Sequence, residues 1–210
     1  KHPTAPLPAA PARETTEHLM VRGLSILALF LVFAHTAVYN LLGPIGAAII
    51  MVVMTLVILA VWIPAIARRR PTRFPWRRLP WTALGYVALA LLSILWSRWP
   101  GATALTWVLL ASVTVTGLFV ATMLTWQEII RALSTVMKFI VALSLLVELW
   151  VALVVRHPIL PNFLDAPADI DPHLYWVRGN LFDGGRIQGI VGNAHALAMM
   201  CLFALIVFGV

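Results

Sequence analysis

The sequence predicts an all-α fold, a polytopic transmembrane bundle with about six spans. Three observations predict it. The chain is 61% hydrophobic and only 11% charged, whereas a soluble domain carries about a quarter charged residues. Its apolar residues fall into runs of roughly 20, the length that crosses about 30 Å of hydrocarbon at 1.5 Å per helical residue. Its basic residues gather between those runs instead of being spread along the chain.

The elements follow in order. Residues 1–20 are rich in proline and alanine and carry both signs of charge, which predicts a polar cytoplasmic tail without fixed structure. The transmembrane domain is 21–210. Apolar runs predict spans over 21–42, 44–67, 81–97 (a short one), 103–124, 136–155 and 187–210. The first run is too long for a secretory signal and follows a polar lead, so it reads as an uncleaved anchor. The chain starts at Lys1 and stops at Val210 inside an apolar run, which predicts a longer parent protein.

Arginine sets the predicted orientation. The connection 68–78 holds six arginines, and such loops stay on the cytoplasmic side. The N-terminus, with Lys1, Arg13 and Arg22, then lies on the same side, as does the connection beside Arg131 and Lys138. The outer side receives the turn Arg98-Trp99-Pro100-Gly101 and a long loop, 156–186. Trp76, Trp81, Trp96, Trp99, Trp126 and Trp150 sit near span ends, where amphipathic rings anchor at headgroup level. Charge placed between apolar runs serves anionic headgroups, so nucleic acid is excluded as a partner. Cys201 lies in an apolar run and reads as packing.

The outer loop differs in composition. It holds all four aspartates of the chain, Asp165, Asp169, Asp171 and Asp183, with Arg156, His157, His173 and Arg178. A loop of this length inside a compact fold is a functional suspect. Leu174, Tyr175, Trp176 and Val177 are expected to lie on the membrane surface.

The stretch after it carries the functional argument: Gly185-Arg186-Ile187-Gln188-Gly189-Ile190-Val191-Gly192-Asn193-Ala194-His195. It sets a guanidinium, two amides and an imidazole at the predicted mouth of the sixth span, where polar groups are costly. A helix N-terminus carries partial positive charge and free N–H groups, and Arg186 adds a planar fork matched to phosphate oxygens. Asp183 is the expected cap, with Gly184 and Gly185 giving clearance. The competing reading has Arg186 snorkelling to the interface or pairing with Asp183.

On a regular helix Arg186, Gly189 and Asn193 share one face, and Gln188, Gly192 and His195 share another, about 200° away. Both line one cavity only if the helix starts late or breaks near Gly189 or Gly192. Arg186 and Asn193 are taken as the cavity face, and His195 as a histidine bonded to a neighbouring helix. Glu148 lies within the fifth span, where an unpaired carboxylate costs several kcal/mol; Arg156, His35 and Arg186 are its candidate partners, in a structural pair or a substrate site. His157 and His173 are general bases by residue type alone, and His35 reads as an interhelical histidine. The candidate substrate-binding set is Arg186, Asn193, Gly189, Gln188 and Glu148, with no metal site and no catalytic base assigned.

The stretch 185–198 resembles the Arg-x-x-Gly-x-x-x-Asn-x-Asn-x-Leu-Ala pattern of the O-antigen ligase and polymerase family. Leu92-Ser93-Ile94-Leu95-Trp96-Ser97 followed by Pro100-Gly101-Ala102 resembles that family's Leu-Ser-x-x-Trp-Ser turn after an early span. The chain departs from the pattern at Ala194-His195, where the family often has Asn or Lys-Asn.

The resemblance implies a metal-independent, inverting glycosyltransferase of the bacterial inner membrane with an outward-facing site and no cofactor. Its implied partners are a lipid-linked glycan donor on undecaprenyl diphosphate, a glycan or lipid acceptor, and membrane lipids. Arg186 matches the motif arginine, whose implied role is to bind the diphosphate. The family's general-base histidine and a second arginine are expected beyond Val210. A glycan polymerase of the same family, a transporter or channel subunit lined by Arg186, Glu148 and Asn193, and a non-catalytic scaffold are the other readings.

Overall fold

The computed structural model describes residues 16–68, 80–164, 171 and 174–209. Six α-helices account for most of them: α1 Thr16–Phe33, α2 His35–Arg68, α3 Trp81–Leu92, α4 Pro100–Met123, α5 Trp126–Trp150 and α6 Ala194–Phe208. α1, α2, α4 and the continuous helical stretch Trp126–Val155 are long and apolar enough to cross a membrane. Trp81–Trp96 and α6 are apolar but shorter. Among the described residues the extended backbone pairs only at one bridge, Ile159 with Val177.

The breaks between helices have local causes. The apolar run 21–42 is interrupted at Ala34, and helix resumes at His35. Gly43 then leaves helical geometry (φ 73°, ψ 178°) just before Pro44, so 35–42 forms a short arm ahead of the long part of α2. The kink falls where the apolar runs 21–42 and 44–67 meet, at a Gly-Pro pair that cannot continue a regular helix. Pro100 opens α4 at its first turn, where its missing N–H has no helical partner to lose. Thr125 starts α5: the Glu128 carboxylate accepts from the Thr125 backbone N–H and hydroxyl, each at 2.8 Å, a local arrangement that closes a helix start. At its far end α5 loosens into a π-helical turn, Val151–Val155, and Arg156 adopts left-handed geometry (φ 58°).

α1 sits at the centre, against α2, α4 and α5, while α3 docks on α4. One apolar cluster joins Ala28, Ile58, Phe119 and Ala132; a second joins Ala34, Val136, Ile140, Ile190 and Leu197. Elsewhere the helices turn large apolar side chains outward, among them Leu89, Leu145 and Leu205. Polar bonds tie helices where packing alone selects no partner. Thr55 donates to Ser112 at 2.9 Å between α2 and α4. Trp62 Nε1 donates to Thr122 Oγ1 at 2.9 Å between the same helices, and its ring stands edge-on to Phe119. Trp62→Phe keeps the ring and removes the bond; the expected loss is about 0.6 kcal/mol, read as a small fall in melting temperature in detergent.

Two ends are thereby defined. At one, Arg68 pairs with Glu17 at 3.1 Å and the His18 imidazole bonds the Glu128 carboxylate. The helical start at Thr16 takes part of the expected tail, 16–20, into α1; residues 1–15, with Lys1 and Arg13, lie outside the described residues, as do the arginines of 69–78. At the other end gather the 35–42 arm, the end of α5 and the described residues 156–164 and 174–193. Asn162 donates from its backbone N–H to the Asn40 carbonyl (2.9 Å) and from its side chain to the Leu41 carbonyl (3.2 Å), and Phe163 meets Tyr39 edge-on. The arm therefore seats the loop.

Candidate functional site

The late helix start decides the geometry of this end. The sixth helix begins at Ala194, not at 187, and the residues before it are not regular helix. Gly189–Val191 form a single 3-10 turn, bracketed by left-handed glycines, Gly189 (φ 57°) and Gly192 (φ 70°). Gly189 is required twice over. Its backbone geometry disfavours any side chain, and a Cβ there would stand 2.4 Å from Ser144 Cβ and 2.5 Å from Ser144 Oγ. The turn thus lies directly on α5.

A non-helical segment against apolar helices must find partners for its N–H groups. α5 supplies them. Glu148 Oε1 accepts from the backbone N–H of Gln188 (2.8 Å) and of Gly189 (2.9 Å). Ser144, one helical turn earlier, accepts from the N–H of Ile190 at 3.3 Å. Glu148 and Ser144 are each 1% exposed. The predicted partners of Glu148 are corrected here: among the described residues neither Arg156, His35 nor Arg186 bonds it. Arg156 donates from Nε to the Leu153 carbonyl instead, and His35 is exposed and donates to the Val32 carbonyl. Backbone amides were a better match because they reach a carboxylate in the interior without burying a second charge.

The outer loop locks the turn from the other side. Trp176 Nε1 donates to the Ile190 carbonyl at 3.2 Å. The Gln188 amide nitrogen, in the orientation that satisfies it, donates to the carbonyls of Trp176 (2.8 Å) and Tyr175 (3.0 Å). Val177 is fully buried, and its carbonyl accepts from Ile159 N–H at 2.8 Å. Residues 174–177 are therefore a strap packed over the turn through Trp176 and Val177, with Leu174 strongly exposed.

The result is a cavity of about 350 Å³ lined by Arg178, Arg186, Gln188, Gly192, Asn193, Ala194 and His195. Residues that a continuous helix would place on opposite faces meet here, because the 3-10 turn and the two glycines redirect the chain between them. His195 belongs to the cavity wall and is exposed to it, not bonded to a neighbouring helix. Arg178, in the strap, also lines it; its position in a long loop left no spacing signal. Gly189 lies in the supporting turn, and Glu148 lies behind it.

The helix cap is also corrected. Asn193, not Asp183, caps α6: its Oδ1 accepts from the N–H of His195 (2.9 Å) and of Ala196 (3.4 Å). Two of the helix's starting N–H groups are thereby occupied, so the anion chemistry of this cavity rests on guanidinium and dipole more than on free amides. Asp183 is exposed and makes no ion pair with Arg186 among the described residues. Arg186 is exposed, makes no protein hydrogen bond among the described residues, and lines the cavity. His157 is exposed and bonded to the Pro158 carbonyl. His173, Asp165 and Asp169 lie outside the described residues. No protein-family model, curated protein or solved structure matches this chain.

Proposed function

We propose that this chain is an O-antigen ligase-like glycosyltransferase. It moves a glycan from an undecaprenyl-diphosphate carrier to an acceptor hydroxyl at the outer face of the bacterial inner membrane. The observation that carries the reading is Arg186: an exposed guanidinium without a hydrogen-bond or ion-pair partner among the described residues, on the wall of a polar cavity at the start of an apolar helix. A planar fork in that setting suits phosphate oxygens. Its motif context, 185–198, supports the same ligand. Arg178 lines the same cavity.

In the proposed reaction the acceptor oxygen forms a bond to the anomeric carbon as the bond from that carbon to the diphosphate oxygen breaks. The acceptor proton passes to a base outside this cavity, and the leaving group departs as lipid diphosphate. Arg186 offsets the charge that grows on it, an effect strongest where water is scarce. The cavity end of the bundle lies opposite the end that holds Glu17, Arg68 and Glu128. With the arginine-rich connection kept cytoplasmic, the cavity faces outward. A transport path through Glu148 has less support, because that carboxylate is committed to main-chain amides.

The test supplies purified full-length protein with a lipid-diphosphate glycan and an acceptor. Release of lipid diphosphate with formation of the glycosylated acceptor is the expected result. Tight binding of the donor without release would overturn the enzyme reading in favour of a carrier.

A further inference from the structure

We infer that Glu148 is the positioning residue of the Arg186 cavity, acting as a hydrogen-bond acceptor whose negative charge is dispensable. The inference rests on the anion-site reading above and adds a residue that does not line the cavity.

Ser144 and Glu148 lie four residues apart in the otherwise apolar stretch 139–155, so they share a helix face. That face meets three consecutive backbone N–H groups, those of Gln188, Gly189 and Ile190. The three amides belong to the turn that connects Arg186 to Asn193. Without the acceptors they would be buried donors with nothing to bond, which a low-dielectric interior does not tolerate. The turn then has one placement, fixed by α5 below and by Trp176 above. Arg186 lies two residues before the first bonded amide, and the α6 cap lies three residues after the last. Both walls of the cavity are therefore referenced to one carboxylate.

The geometry also says which property of the carboxylate matters. One oxygen, Oε1, takes both amide bonds, while Oε2 is buried and has no hydrogen-bond partner among the described residues. A charge needed for its own sake would be expected to face a cation or a donor through both oxygens. A glutamine keeps the carbonyl oxygen for both amides and sets its NH2 where Oε2 already lacks a partner. A leucine of similar size keeps the packing and loses both bonds.

The experiment compares full-chain wild type, Glu148→Gln and Glu148→Leu in detergent micelles. Hydrogen exchange is followed over 186–192, and inorganic diphosphate serves as the binding probe. In Glu148→Leu the amides of Gln188 and Gly189 are expected to exchange about tenfold faster or more, and diphosphate affinity to fall by about tenfold, as for the loss of two hydrogen bonds that leaves buried donors without an acceptor. Glu148→Gln is expected to stay within about threefold of wild type in both.

Unchanged exchange in Glu148→Leu overturns the inference. So does a lower melting temperature with diphosphate affinity unchanged, which is what an ordinary structural bond would give. Glu148→Gln behaving like Glu148→Leu would show that the charge itself is used, and overturns it too. If Glu148→Leu does not fold, Ser144→Ala carries the test: exchange at Ile190 about threefold faster, with weaker diphosphate binding, supports the inference, and no change in either removes it. If wild type binds no diphosphate, the anion-site reading falls separately, and the exchange arm still decides whether Glu148 positions the turn.

Discussion

Arg186→Ala should abolish glycan transfer while leaving the bundle folded and inserted. The two halves of that expectation have different grounds. Folding is spared because Arg186 is exposed and makes no hydrogen bond or ion pair among the described residues, so truncation breaks no polar contact there and the stability change should stay within about 0.5 kcal/mol. Transfer is lost because a guanidinium that meets the leaving group strengthens its bonds as charge develops. Removing one such preorganised donor typically costs about 100- to 1,000-fold in rate. Arg186→Lys separates charge from shape: it keeps a cation but not the two-pronged fork, and should retain only part of the activity. The measurement is the initial rate of lipid-diphosphate release by each purified variant, set beside its melting temperature. Normal transfer by Arg186→Ala would sink the assignment of this cavity to the donor diphosphate.

How far this site is legible in the sequence depends on what kind of signal each residue leaves. The long apolar helices are written in hydropathy, and α2, α4 and the later part of α5 lie where apolar runs place them. The bend at Gly43 falls at the expected boundary between the runs 21–42 and 44–67, whereas the break at Ala34 lies inside the first run and leaves no mark in hydropathy. The region 187–193 misleads for the same reason: Ile187, Ile190 and Val191 read as helix interior, yet they pack around a 3-10 turn. One local clue was present. An asparagine directly before a helical apolar run is an N-cap signal, and Asn193 occupies that place. Taken with Gly189 and Gly192 just ahead of it, that clue favours a late start.

Glu148 shows the opposite limit. Its burial demanded a partner, and a search among side chains named three, but backbone amides leave no trace in residue identity. The one trace was the Ser144–Glu148 spacing in the otherwise apolar stretch 139–155. That pair, and the 35–42 arm that carries Asn40 to the loop, is how α5 and α2 shape a cavity whose walls come from a loop and a helix start. The polar side chains that line the cavity are thus held by residues that do not.

Gly189→Ala should disrupt this end of the protein more than any other single-methyl addition in the segment. The new Cβ would sit 2.4 Å from Ser144 Cβ and 3.2 Å from Ser144 Cα, well inside contact distance, on a helix that cannot recede without leaving α6 and α1. It also asks a non-glycine residue to hold φ 57°. The left-handed backbone costs roughly 1–2 kcal/mol and the overpacking roughly 1–3 kcal/mol, so a total of about 2–5 kcal/mol is expected. The clash has a specific remedy. Ser144→Ala removes Oγ but leaves the nearer Cβ in place, so it should not restore stability. Ser144→Gly removes both Cβ and Oγ, so it should restore part of the stability of Gly189→Ala even though it gives up the bond to Ile190 and some helix propensity. The readout is the melting temperature and monodispersity of the four variants in detergent. Rescue by glycine but not by alanine at 144 fixes the turn against α5. Equal behaviour of the two double variants would mean that Gly189 is not seated on Ser144, and the cavity that depends on that contact would have to be built differently.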